Sequence, residues 1–172
     1  NSAEVVSGIL NFDFEIGIAG KLIPDERLQY YDFADDNLVA VTPYSRKYRD
    51  VQNNSLYFKD IMHECFIFRE KSSATQQIFE SALQSAGYSI NKLKVISEVC
   101  SIDTALQFVK NGLGIAIMSE NTVKEYVDLK FVKKFNIIDL PLKRKIYMVK
   151  SKKRTLSPAA KMFEKFVISK TR

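Results

Sequence analysis

The sequence lacks the residue patterns from which most catalytic sites are built. His63 is the only histidine, and although Cys65 lies two positions away, no acid stands at a spacing typical of a Cys–His nucleophile. No glycine-rich phosphate loop precedes a helix, and Gly112 and Gly114 follow a predicted helix, whereas a dinucleotide-binding motif follows a strand. No pair of carboxylates stands out either. The sequence therefore predicts a protein that is not an enzyme and that holds no cofactor or metal.

Cysteine is scarce, and no apolar run approaches the length of a membrane span. Cys65 and Cys100 do not form a metal-binding pattern, so we expect two reduced thiols in a cytoplasmic protein that does not enter a membrane. No secretory signal is visible, but Asn1 is not a start residue, so we expect the sequence to be a fragment of a longer protein. Hydrophobic residues make up 46% and charged residues 27% of the chain, which is typical of a globular domain.

Positive charge is concentrated towards the end of the sequence. The net charge is +6, and residues 130–172 contain 14 Lys and Arg against two acidic residues. A basic stretch is one signature of nucleic-acid binding. Here, however, the basic residues alternate with apolar positions at helix or strand spacing, and few aromatic residues are placed to stack on bases. We interpret these residues as solvated faces of a folded domain.

Strand and helix patterns alternate along the chain. Apolar runs predict strands near residues 14–19, 28–33, 38–41, 65–68, 94–99, 115–118, 131–135 and 145–150. Helical periodicity predicts five helices, which begin at or just after the polar residues Ser2, Ser73, Ser101, Ser119 and Ser157. Residues 44–56 have a turn-rich composition and are predicted to be a loop. The alternation predicts an α/β fold with mainly parallel strand pairing and no linker between domains.

Two strand-to-helix junctions have the chemistry of an anion site. They are Arg69–Thr75 and Val99–Asp103, and each places a hydroxyl beside the unpaired N–H groups of a helix start. In the first junction Glu70 precedes the polar residues, but no carboxylate follows them in the first turn of the helix. Ligands of open α/β sheets lie beyond the carboxyl ends of the strands, so the two junctions together predict an anion pocket. Ordinary N-capping by Ser73 and Ser101 is the alternative.

Four segments resemble, in order, the effector domain of LysR-type transcriptional regulators. LKVISEVCSIDTALQFVKNGLGIAIMSENTVKEY resembles that family's strand with an acidic residue, capped helix, glycine-containing turn, buried strand and further short helix. NSAEVVSGILNFDFEIGIAG resembles the segment that follows the second strand of the domain. FIFREKSSATQQIFESAL resembles the ligand loop and helix, and KRTLSPAAKMFEKFV the last helix. The resemblance extends over essentially the whole chain.

The resemblance implies an α/β fold of two Rossmann-like lobes, similar to type 2 periplasmic binding proteins. Lobe I would comprise residues 1–38 and 142–172, and lobe II residues 39–141, with a ligand cleft between them. The first strand and helix of lobe I and the DNA-binding winged helix-turn-helix of the family are expected to be missing from this fragment. It would therefore reach DNA only through the missing N-terminal domain, in a homodimer or homotetramer.

The resemblance also implies a small-molecule effector and a set of residues that bind it. Those residues are Ser2, Ala19, Gly20, Lys71, Ser72, Ser73, Thr75, Ser101 and Ile102. The arginine frequent in the family's ligand loop is replaced here by Gln76 or Gln77, so Lys71 is predicted to supply the positive charge. The effector is predicted to be an anionic metabolite, and a neutral effector is the alternative.

Two other functions are compatible with the sequence. One is an extracytoplasmic solute-binding protein that serves a transporter, because such proteins have a similar fold. The residues that precede Asn1 would distinguish the two functions. A regulator would have a helix-turn-helix there, and a solute-binding protein would have a cleaved export signal. The second is a redox sensor that uses Cys65 or Cys100, as in one branch of the family. Neither cysteine, however, lies in the loop at Ser72 and Ser73.

Overall fold

A computed structural model of the protein describes residues 1–170 as six α-helices and eight strands, besides short 3-10 turns. The helices are α1 (Ser2–Leu10), α2 (Arg46–Arg49), α3 (Ala74–Ser85), α4 (Ile102–Lys110), α5 (Glu120–Asp128) and α6 (Pro158–Lys170). The strands are β1 (Ile16–Ala19), β2 (Leu28–Pro43), β3 (Ser55–Leu56), β4 (Cys65–Arg69), β5 (Lys94–Val99), β6 (Ala116–Ser119), β7 (Val132–Ile137) and β8 (Lys143–Ser151). Residues 171 and 172, at the end of predicted lobe I, lie outside the described residues.

The chain divides into two compact units. Unit 1 consists of Asn1–Asp36 together with the chain from Arg144 onward, and unit 2 of Asn37–Lys143. Strands β2 and β8 carry the chain from one unit to the other. Unit 2 is therefore one continuous segment, whereas unit 1 is assembled from both ends of the sequence.

Unit 1 is a small sheet with helices packed on it. Strand β8 lies between β1 and the first part of β2, and it pairs with β1 antiparallel, with Ile16 opposite Lys150. The apolar residues of α1 recur at helical spacing, so they lie on one face of the helix, and that face is buried against these strands. The core contains Val6, Ile9, Ala19, Leu28 and Val149.

Unit 2 has a central sheet with apolar clusters on it. The second part of β2 pairs antiparallel with both β6 and β7, and β3 pairs parallel with β7. Strand β4 pairs parallel with β5, and Phe66 of β4 also bridges to Ile115 immediately before β6. One cluster contains Phe58, Phe66, Phe79 and Leu83, and the other Leu106, Val109, Val123 and Val132.

The prediction of mainly parallel pairing is wrong. Among the described strand pairs whose register is defined, three are antiparallel (β1–β8, β2–β6 and β2–β7) and two are parallel. Strand β2 passes from unit 1 into unit 2 and runs opposite to both of its neighbours there. A strand buried on both faces is a continuous apolar run whichever way its neighbours run, so the residues of β6 did not reveal its direction.

The two strands predicted at 28–33 and 38–41 form one continuous strand. The polar residues between them suggested a break, but Asp36 is buried and its Oδ2 pairs with Nε of Arg144 at 2.8 Å. A paired carboxylate can occupy a buried strand position that an unpaired one could not. The predicted loop at 44–56 is also partly wrong, because it contains α2 and β3.

The ends of α4 were predicted correctly, whereas the cap of α1 was predicted one residue too late. Ser101 caps α4, and its Oγ accepts a hydrogen bond from the Thr104 N–H at 3.3 Å, as predicted. Gly112 has a φ of +76°, which confirms the predicted left-handed residue after α4. The cap of α1, by contrast, is Asn1 and not Ser2. Oδ1 of Asn1 accepts from the N–H groups of Ala3 and Glu4, because Asn1 stands one residue further back than the predicted start.

Candidate functional site

The two predicted junctions lie side by side in unit 2. Strands β4 and β5 are parallel neighbours, and Arg69, the last residue of β4, is paired with Val99, the last residue of β5. The Glu70 N–H continues this pairing with a hydrogen bond of 3.2 Å to the Val99 carbonyl. Because parallel strands end at the same edge of a sheet, α3 and α4 begin next to each other.

Arg69 joins the two junctions. Its Nη2 donates to the Cys100 carbonyl at 2.7 Å and its Nε to the Val99 carbonyl at 3.2 Å. Nε also lies 3.1 Å from the carboxylate of Glu70. The guanidinium thereby pairs the Cys100 carbonyl and adds a second donor to the Val99 carbonyl. Sequence reasoning placed Arg69 in the first junction without giving it a role, because its partners are distant in sequence.

The start of α3 places a serine with a largely buried side chain at a helix end that has no acidic residue in its first turn. Ser73 precedes the helix, is only 5% exposed, and makes no side-chain hydrogen bond that caps it. The first turn contains no acidic residue. Exposed Ser72 and half-buried Thr75 flank this position. A 12-residue helix whose first turn contains no acidic side chain favours a negative group there.

Gln77 holds the loop that leads into α3. Its Nε2 donates to the carbonyl of Lys71 at 2.7 Å, so the side chain links the first turn of the helix to the start of the loop. Gln76 is buried and donates instead to Oε1 of Glu80 at 3.0 Å. Of the two glutamines predicted to stand in place of an arginine, Gln77 therefore stabilises the loop conformation, and Lys71 remains the predicted source of charge.

Lys71 also lines a cavity of about 280 Å³ between α3 and β5. The wall contains the apolar residues Phe68 and Val95, but also the carboxylates of Glu80 and Glu98. These two carboxylates offset the positive charges of Arg69 and Lys71 in the same wall, so the lining has no net positive charge to attract an anion. Of the predicted effector residues, Lys71 alone is among those that line it.

The start of α4 is a weaker anion site than that of α3. The Ser101 hydroxyl is already used as the helix cap, and Asp103 places a carboxylate in the first turn. That carboxylate compensates part of the positive end of the helix dipole. Ile102 is 40% exposed and adds apolar surface beside the junction.

The remaining predicted residues lie in unit 1. Oγ of Ser2 accepts a hydrogen bond from the Gly20 N–H at 3.0 Å, so Ser2 ties the start of α1 to the end of β1. Ala19 is the last residue of β1 and is almost completely buried. The structure brings Ser2, Ala19 and Gly20 together, and their contact with an effector stays a prediction.

The rest of the described chain adds no metal or membrane feature. Within residues 1–170, no group of three or more His, Cys, Asp or Glu side chains is arranged to hold a metal ion. None of the helices in the same residues is long and apolar enough to cross a membrane. Cys65 is half-buried and Cys100 is exposed, and both are free thiols.

The chain is similar to known regulators along its whole length. The family described as the LysR substrate binding domain matches residues 1–172. The HTH-type transcriptional regulator CbbR of Sinorhizobium medicae is 30% identical over 169 residues, which are 98% of this chain and 53% of that protein. The chain thus spans about half the length of the curated relatives it matches.

Two solved structures have the same fold. The regulatory domain of Synechocystis CcmR in complex with 2-PG has a TM-score of 0.85 at 21% identity, covering 100% of this chain and 80% of that one. The effector binding domain of QuiR in complex with shikimate has a TM-score of 0.82 at 20% identity, covering 95% of this chain and 75% of that one. Together with the family match, these neighbours confirm the predicted α/β fold of the type 2 periplasmic-binding-protein kind.

Proposed function

The chain belongs to the LysR substrate binding domain family, whose members are parts of transcriptional regulators and not enzymes, and we propose that it senses a small anionic metabolite at the start of α3. Like the solved members of its family, the domain binds a small-molecule effector. The finer proposal concerns the charge of that effector and the residues that hold it.

The observation that carries the proposal is the Ser73 hydroxyl. It is buried at a helix start, is not used to cap the helix, and has no carboxylate in the turn that follows it. An oxyanion would accept hydrogen bonds from this hydroxyl and from the N–H groups of the first turn, with the charge of Lys71 nearby. The two effectors named in the solved complexes, shikimate and 2-PG, guide the choice of ligands to test.

We propose that units 1 and 2 correspond to the two lobes of the family resemblance and that the effector is held in the cleft between them. In this proposal the edge formed by Ser2, Ala19 and Gly20 is the second wall of the site, and Ser101 and Ile102 extend the first. The support is chemical, because each edge places a serine beside the end of a strand: Ser2 bonds to Gly20 after β1, and Ser101 follows the end of β5.

We also propose that the protein is cytoplasmic, that it functions as a homodimer or homotetramer, and that it reaches DNA through a separate N-terminal domain. The support is the relatives' name, which describes HTH-type regulators about twice the length of this chain. A ligand that prefers one of two conformational states would shift their populations, and a shift from 1:99 to 99:1 needs about 5.5 kcal/mol of differential affinity.

The affinity expected at this site is moderate. A partly buried helix start contributes up to about 2 kcal/mol to a bound anion, and each hydrogen bond to a charged group about 1.5–3 kcal/mol. After the cost of ordering the ligand, a few such contacts correspond to micromolar binding, about −8 kcal/mol.

The Ser73→Ala variant tests the placement of the site. Calorimetric titration with 2-PG and with shikimate would first establish which anion binds the unaltered protein. For that ligand we expect Ser73→Ala to weaken binding about tenfold, which corresponds to about 1.4 kcal/mol, without a lower melting temperature, because the hydroxyl supports no helix cap.

Ser81→Ala is the matched control, because Ser81 lies in the middle of the same helix and its Oγ donates only to the Gln77 carbonyl. Its affinity for the ligand should equal that of the unaltered protein. Unchanged affinity in Ser73→Ala would show that the effector is bound elsewhere. A thermal-shift screen in which only neutral compounds stabilise the protein would contradict the proposed charge.

A further inference from the structure

Arg69 is a largely buried cation whose guanidinium reaches the chain about thirty residues further on. Its side chain is only 16% exposed. Nε donates to the Val99 carbonyl at 3.2 Å and Nη2 to the Cys100 carbonyl at 2.7 Å. The second of these carbonyls immediately precedes Ser101, the cap of α4. Because the donors of a planar guanidinium have a fixed geometry, this side chain of β4 fixes the place at which α4 begins.

Glu70 connects the same guanidinium to the start of α3. Its carboxylate accepts from Arg69 through both oxygens, from Nε at 3.1 Å and from Nη2 at 3.3 Å. Its backbone carbonyl accepts a hydrogen bond of 2.8 Å from the Ser73 N–H, so the turn that places Ser73 begins at Glu70. Hydrogen bonds therefore link the residue before α3, through Glu70 and Arg69, to the carbonyl of Cys100 before α4.

These contacts matter more for position than for charge or stability. The charge of Arg69 is already compensated by Glu70, and an ion pair removed as a whole often changes stability little. Cys100 is exposed, so water can replace the guanidinium at its carbonyl. The Val99 carbonyl would keep its second donor, the Glu70 N–H at 3.2 Å. Without Arg69 the strand pairing would persist, but no side chain of β4 would hold the start of α4.

From this arrangement we propose that Arg69, oriented by Glu70, is a positioning residue for effector binding. It keeps the starts of α3 and α4 at the separation at which one effector contacts both. This inference rests on the proposed function, because it takes Ser73 and Ser101 to belong to one site. Two contact points add to affinity when they are held in place before the ligand arrives, since binding then does not have to order them.

The double variant Arg69→Met/Glu70→Gln tests the proposed positioning role. It removes the linking hydrogen bonds and both charges, so the net charge is unchanged, and methionine retains an apolar stem where arginine had one. Calorimetric titration with 2-PG and with shikimate is the measurement. For the anion that binds the unaltered protein, we expect about tenfold weaker binding, because the ligand must then order the start of α4 itself. The melting temperature should change no more than in the control variant.

Arg27→Met/Asp25→Asn is the control, because it removes a chemically matched pair from unit 1. There, Nε of Arg27 donates to Oδ1 of Asp25 at 2.9 Å and Nη2 to Oδ2 at 2.7 Å. Loss of this pair also leaves the net charge unchanged. The affinity for either anion should equal that of the unaltered protein.

Amide NMR adds a readout that a loss of stability alone would not produce. In the unaltered protein, the bound anion should shift the amide signals at both helix starts, residues 73–75 and 101–103. In the Arg69→Met/Glu70→Gln variant, we expect the signals of residues 73–75 still to shift, at higher anion concentration. Those of residues 101–103 should no longer follow the titration, because the start of α4 is no longer held beside the ligand.

Equal affinity in the Arg69→Met/Glu70→Gln variant and the unaltered protein would overturn the inference. So would anion-induced shifts at only one helix start of the unaltered protein, or loss of both sets of shifts together with a lowered melting temperature. The Ser73→Ala measurement is independent of these results, so the placement of the site at α3 can stand while the role of Arg69 fails. If neither anion binds the unaltered protein, the proposed function fails and the inference fails with it.

Discussion

Gly114 lies where two backbone segments come into direct contact. The Ile115 N–H donates to the Cys65 carbonyl at 2.8 Å, and a Cβ on Gly114 would lie 2.6 Å from that same carbonyl oxygen. A backbone atom in a paired strand cannot move aside as the end of a flexible side chain can. Gly112 differs, because the space around it is open and only its φ of +76° favours glycine. The two glycines therefore have different physical roles, two positions apart.

Alanine substitutions should separate these roles. We expect Gly114→Ala to lower the free energy of unfolding by about 3 kcal/mol, because overpacking forces the backbone of β4 to shift. Gly112→Ala should lower the free energy of unfolding by about 1–2 kcal/mol, because a residue with a Cβ is strained in the left-handed conformation. Urea denaturation followed by circular dichroism would measure both. Equal losses in the two variants would contradict the close approach described at Gly114.

Helix α6 is fixed to unit 1 mainly by polar anchors. At its start, the carboxylate of Glu15 accepts hydrogen bonds from the N–H and the Oγ of Ser157, each at 2.8 Å. In its middle, Oε1 of Glu164 accepts from the Tyr31 hydroxyl at 3.1 Å and pairs with Lys150. Several of its apolar side chains are exposed, among them Met162 at 70%. The position of α6 therefore depends on its carboxylate contacts.

The docking of α6 should weaken in acid. The hydrogen bond from Lys150, followed by that from Tyr31, lowers the pKa of Glu164 below its ordinary value of 4.5. A carboxyl whose pKa is lower in the folded state stabilises the fold above its unfolded pKa and loses that contribution as pH falls through the folded value. Urea unfolding at about pH 7 and about pH 4 should show less pH dependence in Glu164→Gln than in the unaltered protein.

Glu125→Gln, at an exposed position of α5, is the control for this measurement and should retain the pH dependence of the unaltered protein. If Glu164→Gln also retains all of it, the carboxylate does not anchor the helix.

Elements with local signals could be predicted from the sequence, and those that depend on distant partners could not. The cap at Ser101 and the left-handed Gly112 are determined by residues within one turn, so α4 was predicted at both ends. The continuity of β2 depends on the pairing of Asp36 with Arg144, which is 108 positions away. Likewise, the polar start of α3 was visible in the sequence, but the roles of Arg69 and Gln77 require the folded turn.

At the scale of the whole molecule, half of the 14 lysines and arginines at residues 130–172 are engaged within the fold. They pair with acidic side chains or donate to backbone carbonyls at seven positions: Lys133, Lys134, Arg144, Lys145, Lys150, Lys152 and Arg154. A cation already paired with a carboxylate has less to gain from a phosphate. The concentration of charge in the sequence therefore does not create an equally concentrated charge on the protein.

Residues 1–172 alone should bind DNA poorly. At about 0.15 M salt we expect a Kd weaker than about 10⁻⁴ M for a short duplex of random sequence, because few phosphates could be neutralised together. Fluorescence anisotropy would measure this affinity, and a salt series is the control, since a shallow slope indicates few released counterions. Tight binding with a steep slope would contradict the assignment of these residues to solvated and paired faces.

The insertion of unit 2 between the two parts of unit 1 has a consequence for synthesis. A ribosome makes Asn37–Lys143 as one uninterrupted stretch, so every residue of unit 2 has been polymerised before β8 and α6 exist. Unit 1 must wait for Arg144 and the residues after it, which provide the strand that lies between β1 and β2. Unit 1 therefore begins before unit 2 along this chain but can be completed only after it.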